Sequence, residues 1–396
     1  MYKVEVYNTY FGDCSILKAL GKKNSNLLVD FGIHAHSYVS GIYSDKELLK
    51  QEIAEDISNR YPKTNDDINL LITHFHEDHV NGLIYMYKSG SDEYIDYFKK
   101  AYIAKSWGDP YAIAMFLLEE LMKKIKIPQR KPILFDLLLF LSVCVRIIVP
   151  LSRGDIFEDG RYIALWPDNS EEISEKKEID DEIKDLNFSE DIIKDLKDLS
   201  FEISVFFNNA LFNRKTKINR EEQIGIFKKK FKKLKKKISN SWNGNNNINV
   251  EELIKKIHNL NHKFNIVFQN SDDENENILF TGDIEKNHMQ EIADRTDIPL
   301  HESYKYIKIP HHGTKNHYYD YSNYNPETII INNGRINVKC EQTMAYRIYR
   351  EYRDVCAIHV CTNSNNCIRC YRCDKNCMWA CTCVSNVVYP RLYIEC

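Results

Sequence analysis

The chain has 396 residues, with 54 Lys and Arg against 57 Asp and Glu, and a formal net charge of −3. That length holds one large α/β domain with insertions or two smaller domains, and an apolar content of 43% is ordinary for a globular protein. The near-neutral balance excludes a polycation, so any binding of nucleic acid needs a local basic patch.

Residues 1–33 read as a meander. Val4 and Val6 alternate in a first strand, and Gly12-Asp13-Cys14-Ser15 turns the chain into Ile16-Leu17. Gly21-Lys22-Lys23-Asn24 turns it again into Leu27-Leu28-Val29-Asp30. The opening residues lack the basic-then-apolar layout of a secretory signal, so a cytoplasmic location is expected. Ser44 and Glu47 make a capping box for a helix whose apolar face holds Leu48, Leu49, Ile53 and Ile57. Residues 68–73 form a short apolar run that fits a buried strand, and Asp109-Pro110 opens a second helix.

The most apolar stretch, residues 133–149, is interrupted by Asp136 and Arg146. It falls short of the roughly 20 residues of a membrane span, so a buried element is expected and no span. A membrane-edge or partner-facing helix is the other reading. Strands are expected at 145–149 and 162–166, around the turn Arg153-Gly154-Asp155.

Residues 168–259 change in character. They are charged and helically periodic, acid-rich first and then Lys-rich, with Phe227, Phe231, Leu234 and Ile238 at helical spacing. A polar loop follows at 240–249, then Asn249 and Glu252 cap a short helix to Leu260. The block reads as a helical insertion in an α/β core. Strands are expected again at 264–268, 278–281, 306–309, 328–331, 357–360 and 387–394. The expected organisation is a core in two parts, 1–167 and 260–360, split by the insertion at 168–259 and followed by a Cys-rich loop and final strand at 361–396.

The chemistry concentrates in Thr73-His74-Phe75-His76-Glu77-Asp78-His79. Three histidines and an aspartate follow directly on an apolar strand, and a tight loop there would point all four into one cavity. Imidazole and carboxylate suit Zn²⁺, and also Mn²⁺ or Fe. A polar loop with surface histidines is the bland alternative, which this spacing disfavours. Two later segments add ligand types, Thr281-Gly282-Asp283 and Pro310-His311-His312-Gly313-Thr314.

Together these segments resemble the metallo-β-lactamase superfamily, through its HxHxDH signature, its strand-plus-Gly-Asp element and its late His-His-Gly element. Phe11-Gly12-Asp13-Cys14-Ser15 and Leu28-Val29-Asp30-Phe31-Gly32 fit its opening hairpin and Asp-x-Gly strand. The order is most similar to the hydrolase domain of competence-type DNA-uptake channel proteins. That branch also has a Gly-rich turn, here Gly154-Asp155 to Gly160, a strand ending near Trp166-Pro167, and a late strand running into Asn332-Asn333-Gly334. The match covers roughly residues 1–85, 145–168 and 260–360, plus the final strand, without the channel's membrane segments.

The resemblance implies an α/β fold class, a four-layer αββα sandwich with two metals, Zn²⁺ or Mn²⁺, at its edge. It implies His74 and His76 on the first metal, Asp78 and His79 on the second, and Asp283 bridging them. His311 is the first choice for the late ligand of the second metal, with His312 as the alternative or as a donor behind the ligands. His262, just before a strand, is either the middle ligand of the first metal or a satisfied surface histidine; the competence branch often has asparagine in this region.

Two metals about 3.5–4 Å apart can share a hydroxide and bring the pKa of water toward about 7. They also neutralise charge growing on substrate oxygens. Such a centre names hydrolysis and leaves the substrate open. Asp78, Asp283, His312 and Lys315 are the residues expected to carry the chemistry. Nucleic acid or a nucleotide is the expected substrate, from the resemblance and from Lys308 and Lys315, which bracket His311. Eight lysines in residues 228–237 add a weaker argument, because such a run reads first as a solvated face or one paired with the insertion's acidic half. The alternatives are a lactonase, esterase or β-lactamase of the same fold, and a regulatory scaffold with a vestigial site. A flavodiiron-type oxidoreductase is set aside because His76 stands where that family tends to have glutamate.

Of 12 cysteines, ten lie from Cys340 onward. In a reducing compartment they favour metal thiolates over disulfides. Cys361, Cys367, Cys370, Cys373, Cys377, Cys381 and Cys383 crowd one loop, and paired Cys-x2-Cys spacing suits a structural zinc. The core also has the spacing of a bacterial iron–sulfur motif without its following proline or a second copy, so a cluster ranks below zinc. The loop and the helical insertion are the expected surfaces for a protein partner. Cys14 and Cys144 read as buried apolar residues.

Overall fold

The structure is a computed structural model, and it describes residues 2–7, 9, 12–19, 26–34, 46–65, 68–126, 132–168, 188–213, 219–241, 250–272, 276–332, 358–361 and 393–395. Within these the chain is mixed α/β with two seven-stranded sheets. The expected opening meander is there: β1 (Tyr2–Tyr7), β2 (Ser15–Ala19) and β3 (Asn26–Val29) pair antiparallel in sequence. Then β3 runs parallel to β4 (Ile68–Leu71), β5 (Phe98–Ala104) and β6 (Val145–Leu151). The final strand, β14 (Tyr393–Glu395), pairs with β1 and completes that sheet.

The second sheet repeats this plan. β7 (Ile156–Phe157), β8 (Tyr162–Trp166), β9 (Val267–Asn270) and β10 (Ile278–Phe280) pair antiparallel. β10 then runs parallel to β11 (Tyr306–Lys308), followed by β12 (Thr328–Ile331) and β13 (Ile358–Cys361). Alternating side chains of this sheet join two cores, as the period of two requires. Ile278, Phe280, Tyr306 and Ile330 pack into the large core that holds the first sheet's apolar residues. Leu279, Ile307, Ile329 and Ile331 pack with Met289 and Ile292 of the helix Lys286–Asp294.

The helices α1 (Lys46–Arg60), α2 (Glu77–Lys88), α3 (Pro110–Lys126) and α4 (Leu134–Val143) lie between strands of the first sheet in sequence. Asp109 caps α3 as its position before proline predicts, with its side chain accepting from the Tyr111 N–H at 2.7 Å. The apolar stretch at 133–149 becomes buried α4 followed by β6, and no helix among the described residues is long and apolar enough to cross a membrane.

The charged block supplies α5 (Glu190–Phe206), α6 (Arg220–Ser241) and α7 (Val250–His262), and α7 runs on past the boundary expected at 259. The helix Lys286–Asp294 is α8. Phe227, Phe231, Leu234 and Ile238 are buried, so the apolar stripe of α6 is core. Three of its lysines are paired: Lys230 with Glu202, Lys237 with Asp195, and Lys228 with Asp136. The pairing with acidic α5 supports the plainer reading of the lysine run. Cys14 and Cys144 are buried, as expected. Cys361 ends β13, while Cys367, Cys370, Cys373, Cys377, Cys381 and Cys383 lie outside the described residues.

Asp136 joins three helices. Its carboxylate on α4 meets Lys88 of α2 at 2.5 Å and Lys228 of α6 at 2.9 Å. Burial opposes ionisation, but the two ammonium groups hold its pKa below the usual range. A depressed carboxylate pKa stabilises the fold above the unfolded value of about 4, and that contribution is lost as pH falls through the folded value. Asp136→Asn should therefore cost about 1 kcal/mol at neutral pH, discounted for the half-exposed lysines. Chemical denaturation should show the gap between variant and parent closing as pH drops below about 4.

Candidate metal centre

The parallel halves of both sheets end on one crevice, the place where open α/β sheets bind ligands. β3 runs into Asp30, β4 into His74, β10 into Asp283, β11 into His311 and His312, and β12 into Asn332. Glu77, Asp78 and His79 form the first turn of α2 rather than the loop expected from sequence. Close backbone contact fixes that turn. The Asp13 N–H donates to the Asp78 carbonyl at 3.0 Å, and the Phe31 N–H donates to the His79 carbonyl at 2.9 Å. Gly32 permits the approach, because a Cβ there would sit 2.1 Å from the Asp78 carbonyl.

Two ligand groups face each other across Asp283. His74, His76 and His262 form one, and Asp78, His79, His312 and Asp283 form the other; within each, the ligand atoms lie within 4.8 Å of one another. Asp283 Oδ2 stands 3.7 Å from His74 Nε2 and 3.9 Å from His262 Nε2 on one side, and 3.3 Å from His79 Nε2 on the other. His74 Nε2 and His76 Nδ1 are 3.0 Å apart, and His312 Nε2 is 3.2 Å from Asp78 Oδ2. Two donors on one Zn²⁺, each about 2.0–2.2 Å away, lie about 3.3–3.6 Å apart in a tetrahedron. These separations fit that geometry.

Most of the imidazoles have an inward nitrogen and an outer one tied to the protein, the arrangement that fixes ligand orientation and tautomer. His79 Nδ1 faces Asp30 Oδ2 at 2.8 Å, and Asp30 is itself held by the Thr73 N–H and hydroxyl. The His312 Nδ1 hydrogen bond runs to the Asn332 carbonyl at 3.0 Å. His74 Nδ1 lies 3.1 Å from the Thr73 hydroxyl. His262 differs, because both its nitrogens are buried and have no hydrogen-bond partner. Unsatisfied buried nitrogens cost about 1–3 kcal/mol, a cost that a bound cation would remove. That supports the ligand reading of His262 over a satisfied surface histidine, since it is 1% exposed.

Protonation suits metal binding. Burial, with His79 and His76 nearby, holds His74 well below the ordinary histidine range, and burial with His258 and His76 does the same to His262. Burial and His258 bring His76 down to about 4. Against burial, His312 and His79 hold the Asp78 carboxyl well below its usual range, and His79 and His311 do so for Asp283. His79 and His312 are raised, burial notwithstanding, by the carboxylates they face: Asp283 and Asp30 for His79, Asp78 for His312. A cation between them would take the place of those protons.

The late pair divides otherwise than expected. His312 joins Asp78, His79 and Asp283, while His311 groups with His258 and His262 and stacks on His317 at 4.0 Å. Both residues have left-handed backbone, φ 46° and 57°, which turns their side chains apart. One hydroxyl, that of Thr314, meets His311 Nδ1 at 2.8 Å and His317 Nδ1 at 2.9 Å.

Lys308 also departs from expectation. It is buried in an ion pair with Asp13 at 2.8 Å and cannot meet substrate as a free cation. Asp13 in turn accepts from the Asn332 amide at 2.6 Å. Lys315 is exposed beside the late motif.

Asp283 owes its place to Gly282 and Asn265. The Asn265 amide donates to the Thr281 carbonyl, and its oxygen accepts the Asp283 N–H at 3.1 Å. Gly282 has φ +50°, and a Cβ there would lie 2.0 Å from that oxygen. Sequence reasoning missed Asn265, Glu119, His258, Glu285 and His317, all of which border the centre. The spacing His258-x3-His262 on α7 was the available signal, since residues four apart share a helix face.

No family model matches the sequence, and no curated protein matches it.

Proposed function

We propose that the chain is a metal-dependent hydrolase of the metallo-β-lactamase fold, with two Zn²⁺ or Mn²⁺ ions at the edge of a four-layer αββα sandwich. Within that class we assign it to phosphodiesterases or nucleases of the competence-type branch, acting on nucleic acid or a nucleotide. One observation carries the reading: a buried carboxylate, Asp283, faces His74 and His262 on one side and His79 on the other. His74, His76 and His262 would hold the first metal, and Asp78, His79 and His312 the second, with Asp283 shared. Bound there, the metals would supply an activated water and draw charge from the substrate's oxygens.

The protein's own groups set the geometry. Asp30 and Asn332 fix His79 and His312. His258 and His311 are partly exposed and border the centre, and Lys315 is an exposed cation near the late motif. The cytoplasmic setting, a structural zinc on the Cys-rich loop with an iron–sulfur cluster as its alternative, and a protein partner at that loop or the helical block belong to the same proposal.

A second reading has an observation of its own. A cavity of about 180 Å³ beside His76 and Asp78 is walled by Glu77, Glu119 and Glu120 as well as Lys123 and His258. Carboxylates there disfavour a polyanion and favour a small ester or lactone. A hydrolysis screen separates the two. Single- and double-stranded DNA, RNA, cyclic nucleotides and bis(p-nitrophenyl) phosphate would be tested with Zn²⁺ and Mn²⁺ against aryl esters and lactones. Turnover of a phosphodiester is expected; turnover of esters or lactones alone overturns the assignment.

A further inference from the structure

The helical block enters the centre through α7. Its His262 faces Asp283, and one turn earlier His258 stacks on His76, with ring centroids 4.1 Å apart and planes 15° apart. Facing both is Glu119 of α3, a carboxylate 2% exposed. Its Oε1 accepts from His258 Nδ1 at 2.8 Å and pairs with Lys123. Its Oε2 accepts from the Asn261 amide and lies 3.8 Å from His76 Nε2. Lys123 occupies the side of Glu119 where a further cation would sit, so this cluster is a poor metal site in its own right. The Glu119 carboxylate instead faces the outer nitrogen of His76, which is buried and has no hydrogen-bond partner at this 3.8 Å separation, whereas Asp30 and the Asn332 carbonyl bond the outer nitrogens of His79 and His312 at 2.8 and 3.0 Å.

We propose that Glu119 is a positioning residue for the first metal: when His76 binds through Nδ1, the carboxylate closes the 3.8 Å gap and accepts the Nε2 proton that now has no partner, and its bonds to His258 and Asn261 hold α7 so that His262 stays in place. This rests on the metal-centre reading above. It makes His76 an Nδ1 ligand, whereas His74, His79 and His312 present Nε2. It also couples the first metal alone to the α3–α7 contact, because the ligands of the second metal come from α2 and the strand ends.

Zinc titration of the full chain against a chromophoric chelator tests it. The parent should bind in two steps. Glu119→Gln should weaken one step by about 10–100-fold and leave the other unchanged. Asp30→Asn should weaken the other step instead. A merely structural role would lower the unfolding midpoint of the metal-free protein and spare the ratio of the two steps. Nitrogen-15 histidine spectra of the zinc-loaded parent supply an independent readout, which decides the matter if Glu119→Gln does not fold. They should show His76 bound through Nδ1 and protonated on Nε2. Two parent-like steps in Glu119→Gln, or His76 bound through Nε2, overturns the proposal for Glu119 and leaves the metal centre standing. A parent that takes up no zinc overturns both.

Discussion

Asp283→Asn should reduce bound metal from two ions to one or fewer and lower hydrolysis by about 10²–10³-fold. The substitution keeps the shape of the side chain and removes its charge. Four imidazoles stand around Asp283 Oδ2, with His311 Nε2 at 3.8 Å joining His74, His79 and His262. A neutral amide cannot balance two cations at once. The backbone at this position is held independently, by the Asn265 side chain and by the Gly282 carbonyl accepting the His311 N–H. Circular dichroism should therefore be unchanged while metal analysis and rate both fall. Parent-like metal content in Asp283→Asn would show that this carboxylate is not shared.

His262→Ala is expected to have the next largest effect. It would leave the first metal with His74, His76 and the shared Asp283, one protein ligand short, so metal content should fall to one and hydrolysis by about 100-fold. Stability separates this from a structural role. Burial of a histidine with both nitrogens unpartnered is costly, so its removal offsets part of the packing lost. The metal-free variant should unfold within about 1 kcal/mol of the metal-free parent. The difference should appear only when zinc is added, because the parent then gains stability from a site the variant lacks. A large loss in the metal-free state would mark His262 as a packing residue.

Much of the fold was legible because its strands are short apolar runs between turns. The opening meander and the strands around Asp283 and His311 fall close to their expected places. The first motif was legible for a stronger reason: ligand types so closely spaced have few other uses. What failed was local geometry. Val80, Leu83 and Ile84 give α2 its buried face, but the preceding histidines drew the eye to a loop. His311 and His312 could not be told apart because left-handed backbone obeys neither the helical nor the strand period. Lys308 looked like a substrate-facing cation until its partner, Asp13, arrived from a distant turn. Glu119 had no signal at all, since its bond to His258 spans 139 residues.

The lysine-rich helix shows how pairing changes a charge argument. Lys230 and Lys237 are engaged by Glu202 and Asp195 within the helical block, and Lys228 ties the block to Asp136 of α4, so these lysines are held by the protein before they meet any partner. The support for a nucleic-acid or nucleotide substrate therefore rests on the resemblance and on Lys315.

Anomalous diffraction at the zinc edge from zinc-loaded crystals would test the centre most directly. Two peaks about 3.5–4 Å apart are expected, one among His74, His76 and His262 and one among Asp78, His79 and His312, with Asp283 touching both. A single peak, or peaks that leave Asp283 without contact, would contradict the two-metal account.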